Sequence, residues 1–180
     1  FDGQGYTISG LTINRPAMDS VGLFSITDGA SVQNVGLVGG SVTGQDNVGG
    51  LVGWFHYGSS FTNAFSGADV HGRTGVGGFG GQGRGTTFTN VYATGDVTGT
   101  SWGIGGFAGT MTEGSSVNSA YATGNVYAPT AQDVGGFVGT VGSSTGLTNA
   151  YATGNVTGSD QVGGFAGSFG DGNTTLSNSY

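Results

Sequence analysis

Five copies of one six-residue phrase set the frame for this chain. It reads VGGLVG from Val48, VGGFGG from Val76, IGGFAG from Ile104, VGGFVG from Val134 and VGGFAG from Val162. The starts lie 28, 28, 30 and 28 residues apart, and a looser copy, VGLFSI, begins at Val21. A second phrase keeps the same step: VYATGDV at 91–97, then AYATGNV at 120–126 and again at 150–156. Its aromatic position holds Phe65, Tyr92, Tyr121, Tyr151 and Tyr180, with Gly36 in that slot of the earliest copy. Two residues earlier stand Asn34, Asn63, Asn90, Ser119, Asn149 and Asn178. Four residues earlier stand Val32, Phe61, Phe88, Val117, Leu147 and Leu176. A unit of this length cannot bury its own apolar face. Stacked units can, because each Val, Phe and Tyr lands on its counterpart one layer away.

Each unit reads as three short strands: VGGF-x-G, then apolar-x-Asn-x-Tyr-Ala-Thr, then a short piece around Val70, Val97, Val126 or Val156. Clusters of Gly, Asn, Asp, Ser and Thr punctuate them. The spacing predicts an all-β chain, a parallel β-helix-like β-solenoid of about six stacked three-strand repeats, each 27–30 residues long, with layers about 4.8 Å apart. The alternative is a β-roll or prism of stacked hairpins. The whole chain, 1–180, forms one repeat domain: an opening coil over 1–20, repeats over 21–47, 48–75, 76–103, 104–133 and 134–161, and a partial repeat over 162–180. It begins at Phe1 without Met and is read as an internal segment of a longer polypeptide. FGDGN at 169–173 reads as a turn rather than a calcium loop.

Glycine is the extreme of the composition, 42 of 180 residues against about 7% in ordinary proteins. Each glycine costs roughly 0.5–1 kcal/mol in ordering entropy relative to Ala. A fold tolerates so many only where a Cβ would be worse, at corners or beside large stacked rings. A corner at Gly135–Gly136 would let both Val134 and Phe137 point inward, which a regular strand forbids.

Charge excludes several classes of function. There is no Lys, only Arg15, Arg73 and Arg84, and the net charge is −7. Three scattered cations cannot track a phosphate backbone, so nucleic-acid binding is excluded. Attraction to an anionic membrane and membrane insertion are excluded on the same charge and on the lack of a long apolar run. With no Cys, neither disulfides nor cysteine zinc sites form.

The repeat columns also sort the candidate chemistry. Asp19, Asp46 and Asp160 precede Val-Gly anchors and are the candidates for a Ca²⁺ edge. Thr74 and Trp102 interrupt that column, so turn capping by Asp is the favoured assignment and no cofactor is expected. Asp69 and Asp96 would face each other across adjacent layers like paired glycosidase carboxylates. Asn125 and Asn155 hold the same slot later, so a turn position accepting Asp or Asn is favoured and no enzyme is expected. His56 and His71 read as surface loop residues. GQGRG lacks the lysine and helix of a phosphate loop. The asparagines Asn34, Asn63, Asn90, Asn149 and Asn178 read as a stacked amide ladder, and Phe79, Phe107, Phe137 and Phe165 as a core ladder. A Thr94, Thr123 and Thr153 file is too sparse for an ice-matching surface. Tyr92, Tyr121 and Tyr151 form a column that suits sugar rings or partner proteins if it faces outward. Strict alternation puts Leu147, Asn149 and Tyr151 on one face and Ala150 and Ala152 on the other. That leaves the orientation open, with half-burial by stacked neighbours favoured. Trp54, Tyr57 and Trp102 break the period and complete the candidate surface.

FDGQGYTISGLTINRP resembles the first coil of right-handed β-helix proteins. The VGG[LF]-x-G and Y-A-T-G-x-V units that follow resemble the GLUG-repeat regions of very large secreted bacterial surface proteins. These include filamentous-haemagglutinin-like adhesins of two-partner secretion and the repeat region of some cell-surface peptidases. The resemblance covers nearly all of the chain and carries no catalytic residue. It implies a secreted or cell-surface, extracellular location and a non-enzymatic stalk or adhesive module. Expected partners are surface glycans or proteins, or copies of the chain itself in an extracellular fibre. A carbohydrate-active β-helix is the remaining alternative.

Overall fold

The computed structural model describes residues 1–170 and 172–180; Asp171, within the FGDGN stretch expected to turn, lies outside them. Among the described residues there is no helix and every strand pairing is parallel. The chain is a β-solenoid, and hairpin stacking is excluded. Each strand pairs with its counterpart one repeat away, so Tyr92 sits between Phe65 and Tyr121 and Val97 between Val70 and Val126.

A coil holds four strands rather than the expected three. From Thr74 the chain runs Thr74–Gly77, Gly80–Arg84, Thr87–Ala93 and Val97–Thr98, and then begins the next coil at Trp102–Gly105. Stacking makes four sheets. Sheet I holds seven strands, from Asp2–Ser9 to Thr175–Ser177. Sheet II holds six short ones, from Thr12–Asn14 to Val156–Thr157. Sheet III holds five, from Asp46–Gly49 to Asp160–Gly163. Sheet IV holds six, from Phe24–Thr27 to Ala166–Phe169. The phrase VGGF-x-G is therefore two strands around a corner. In the 134 copy the corner falls at Gly136–Phe137, one residue later than expected, and Val134 and Phe137 are both fully buried.

Three recurring glycines are explained by close approach. Sheets III and IV lie backbone against backbone. A Cβ on Gly109 of sheet IV would sit 2.5 Å from Gly75 C and Val76 N of sheet III, and one on Gly139 would sit 2.4 Å from Ile104 N. At Gly78, Gly106 and Gly136 the second glycine of the phrase faces the alanine of Tyr-Ala-Thr: a Cβ on Gly106 would meet Gly136 O at 2.2 Å and Ala122 Cβ at 3.1 Å. The glycine of Tyr-Ala-Thr-Gly stacks on the carbonyl one layer back, with Gly124 leaving 2.0 Å to Gly95 O for any Cβ. The two phrases thus recur together because each fits against the other.

The core runs through the stack as ladders. Phe79, Phe107, Phe137 and Phe165 follow one another at centroid spacings of 5.0, 4.8 and 5.1 Å, nearly parallel. Phe61 and Phe88 stack at 5.4 Å and meet this column edge-on. The Val42, Val70, Val97 and Val126 side chains of sheet II close the interior. Removing one such ring costs about 3–5 kcal/mol.

The glycine contacts make a graded test. Gly109→Ala forces backbone apart and is expected to cost about 3 kcal/mol. At Gly164 a Cβ meets nothing within 4 Å, so Gly164→Ala is expected to gain about 0.4–1 kcal/mol by restricting the unfolded chain. Guanidinium denaturation of the two variants should move the midpoint in opposite directions.

Candidate functional site

Sheet I presents the most repetitive surface. In Thr87–Ala93 the side chains of Phe88, Val91 and Ala93 are buried, while Thr87, Thr89, Asn90 and Tyr92 line the outside. Strict alternation fails here for one physical reason. Asn34, Asn63, Asn90, Ser119, Asn149 and Asn178 all have left-handed φ, between 48° and 62°. Each adds a residue to the strand without adding a step of alternation, as a bulge does. The phase shifts by one, so Leu147 shares the inner face with Ala150 and Tyr151 turns outward. Asparagine tolerates this conformation better than other residues with a Cβ.

The asparagines form a directional ladder. Asn90 Nδ2 donates to Asn63 Oδ1 at 2.8 Å, Asn63 Nδ2 to Asn34 Oδ1 at 3.1 Å, and Asn34 Nδ2 to Asp2 Oδ1 at 3.1 Å. Asp2 Oδ1 also accepts the Gln4 backbone N–H, and these donors hold its carboxyl below the usual range. Ser119 interrupts the ladder. It resumes with Asn149 donating to Asn118 at 3.5 Å and Asn178 donating to Asn149 at 3.3 Å.

Beside it runs the aromatic ladder, facing outward and half-buried by its own members. Phe65, Tyr92, Tyr121, Tyr151 and Tyr180 stack at centroid spacings of 4.8, 4.6, 5.2 and 5.7 Å, tilted by at most 15°. The first ring lies over the bare backbone of Gly36, where a Cβ would come within 2.1 Å of it. An open groove of about 490 Å³ lies alongside, bordered by Gln4, Tyr6, Asn34, Asn63 and Phe65. Because neighbouring rings cover one another's faces, what the ladder offers to a partner is ring edges and a file of hydroxyls.

A second cluster gathers the residues that break the period. The Trp54 ring stacks on His56 at 4.9 Å, and His56 opens the loop after Val52–Phe55, as expected. Arg84 lies 5.1 Å over the Tyr57 ring and 3.5 Å from Glu113, which also accepts the Tyr57 hydroxyl. That carboxylate raises the Tyr57 phenol above its ordinary range. A shallow pocket of about 190 Å³ lies between Trp54, Gln82 and Glu113. Sequence patterning located Trp54 and Tyr57 by their irregularity but not the Arg84–Glu113 contact, whose members are 29 residues apart. Trp102 is not in this cluster; it lies on sheet III between Thr74 and Gln132. His71 is an exposed residue of a sheet II strand, not of a loop.

The acidic candidates are occupied by the fold. Asp19 Oδ1 accepts the Asp46 N–H at 3.2 Å, the Asp46 carboxylate is gripped by Arg73, and Asp160 Oδ1 accepts the Gln161 N–H at 3.0 Å. Three layers separate Asp46 from Asp160, so Asp19, Asp46 and Asp160 do not share one site. Asp69 Oδ1 accepts the Asp96 N–H at 3.0 Å, Asp96 Oδ1 the Asn125 N–H at 2.7 Å, and Asn125 Oδ1 the Asn155 N–H at 3.1 Å. Each carboxylate or amide thus caps the same position one layer on.

No family model matches the chain, and no solved structure matches it. Halomucin from Haloquadratum walsbyi (strain DSM 16790 / HBSQ001) is 40% identical to it over 94 residues. The match takes in 52% of this chain and 1% of halomucin, so the similarity is to a small part of a very long protein. A solenoid with such a relative is compatible with a structural module of a large surface protein.

Two outcomes follow for the ladders. Burial, with smaller effects from Tyr92 and Tyr151, pushes the Tyr121 phenol up. A raised folded value means this stabilisation is complete below the unfolded value and is lost as pH rises through the folded one. The melting temperature should hold to about pH 9 and fall above about pH 10, with Tyr121 ionising above the ordinary tyrosine range in a titration followed at the phenolate absorbance. Ser119→Asn should rejoin the amide ladder to Asn90 and raise stability by about 0.5–1 kcal/mol, read by urea denaturation.

Proposed function

We propose that this chain is a non-enzymatic module of a large secreted or cell-surface protein, a stiff stalk whose sheet I face binds surface glycans or partner proteins. The observation that carries this reading is the outer face of sheet I. There an amide, a hydroxyl and an aromatic ring recur together at one-layer spacing on a backbone bonded to its neighbours throughout. Weak contacts at such spacing add through avidity, because each further contact is made at high effective concentration. The capping roles of Asp69 and Asp96 support a non-catalytic role. The halomucin likeness supports placement within a very long chain, and the GLUG-repeat resemblance belongs to the same proposal.

Ring faces are covered within the ladder, so the hydroxyl edges are the binding groups. Changing Tyr92, Tyr121 and Tyr151 together to Phe keeps the stacking and removes only the hydroxyls. On a glycan array and a panel of surface-protein extracts, this variant is expected to lose at least tenfold in apparent affinity while keeping its melting temperature. Binding unchanged by the triple substitution, or no binding by the parent chain, would count against the reading.

A further inference from the structure

Away from sheet I, the seam between sheets III and IV holds a carboxylate with no ionic partner. Asp133 is only 8% exposed. One oxygen, Oδ2, lies 3.4 Å from the Thr140 hydroxyl. The other, Oδ1, is buried without a hydrogen-bond partner among the described residues. Thr110 pairs with Thr140 in adjacent layers of sheet IV, and its hydroxyl is buried and unpartnered in the same way. Gly103 is the residue one layer back in the Asp133 column, and it lies beside Thr110. A Cβ on Gly103 would lie 2.8 Å from Thr110 Oγ1 and 3.6 Å from the Gly109 carbonyl oxygen. The missing side chain therefore leaves a small space beside the Thr110 hydroxyl and the Gly109 carbonyl, one layer from the Asp133 carboxylate.

Among the described residues no cationic side chain answers this carboxylate. Arg73 is engaged by Asp46, Arg84 contacts Glu113, and Arg15 bonds the Asn14 carbonyl; there is no Lys. Burying a charge without a partner is strongly unfavourable, and a counter-ion entering with it relieves that cost. The donors are oxygen only, which selects hard cations. We infer that this seam is a cation site, in which the Asp133 carboxylate, the Thr110 hydroxyl and the Gly109 carbonyl hold a hard ion of the size shared by Na⁺ and Ca²⁺. Mg²⁺ fits less well, because it demands near-ideal octahedral geometry and keeps its waters. The site is separate from the Asp19, Asp46 and Asp160 edge.

The same column supplies a built-in control. Asn47 stands where Asp133 does, with φ 55° against 52°, and its Oδ1 would lie 3.0 Å from a Cβ on the glycine of the next layer, Gly75. Asp133→Asn is thus a change the backbone already accommodates elsewhere. The experiment is thermal unfolding of the chain at constant ionic strength in NaCl, KCl, CaCl₂ or MgCl₂, each balanced against tetramethylammonium chloride. The parent should be stabilised saturably by Na⁺ or Ca²⁺, by about 3–6 °C at ten times the half-saturating concentration, and less by Mg²⁺ or K⁺. Whether Na⁺ or Ca²⁺ gives the larger shift identifies the ion. Asp133→Asn and Thr110→Val should each abolish the shift, whereas Asp28→Asn, an exposed position, should keep it. Equal melting temperatures in all salts, or an undiminished shift in Asp133→Asn, would overturn the assignment.

Discussion

Everything in this molecule depends on two sheets meeting backbone to backbone at the glycines Gly109 and Gly139. At Gly109 and Gly139 the backbone of sheet IV comes so close to sheet III that even a methyl group would strike main-chain atoms at 2.4–2.5 Å. Ordinary stacked sheets stand about 10 Å apart because side chains fill the gap. Here the gap is nearly gone, so half of each coil is a thin double wall. Bulky apolar groups point away from this wall into the interior, where the Phe107 column meets Phe88 edge-on. The entropy that the glycines lose on folding is offset by dense main-chain contact and by uninterrupted parallel hydrogen bonding from layer to layer.

That wall also dictates the polar architecture. A solenoid repeats each position, so any polar group turned outward meets a copy of itself a few ångström away. Like charges at that spacing repel, which accounts for the poverty of charge. Amides and hydroxyls instead satisfy one another, as in the ladder from Asn90 through Asn63 and Asn34 to Asp2. Where acids do recur, at Asp69 and Asp96, the carboxylate turns onto the backbone N–H of the next layer rather than facing its neighbour's charge. Such chains polarise one another, so the ladder is worth more than separate bonds.

The period, the parallel stacking and the identity of the inner ladders were legible in the repeat, because a column of Phe79, Phe107, Phe137 and Phe165 can only stack. The strand count was not. VGGF looks like one strand, and only the closeness of sheets III and IV reveals the corner within it. The direction of the tyrosines was hidden by the left-handed asparagines, which shift the alternation by one residue. Asparagine has many uses, and nothing in Asn-x-Tyr alone marks a positive φ. A second left-handed column, Ser20, Asn47, Gly75, Gly103, Asp133 and Gln161, is chemically so mixed that no sequence pattern marks it. Asp133 directly precedes Val134, one residue out of step with Asp46 and Asp160, and nothing in the sequence marks it as buried. Its partner Thr140 stands on the facing sheet, a relation carried by the corner between the two strands rather than by the repeat.

The contrast between the two outer features bears on what such a fold can do. Ladders are cheap for a solenoid, since one solution serves every layer, and they produce an extended surface rather than a pocket. Singular chemistry requires breaking the repeat. The exceptions in this chain do that: Gly36 ends the aromatic ladder, Ser119 cuts the amide ladder, Trp54 and Tyr57 carry the cluster with Arg84 and Glu113, and Asp133 places a charge where Asn47 has an amide. The regular columns set stiffness and multivalency. The irregular positions are where a layer acquires a contact that its neighbours lack.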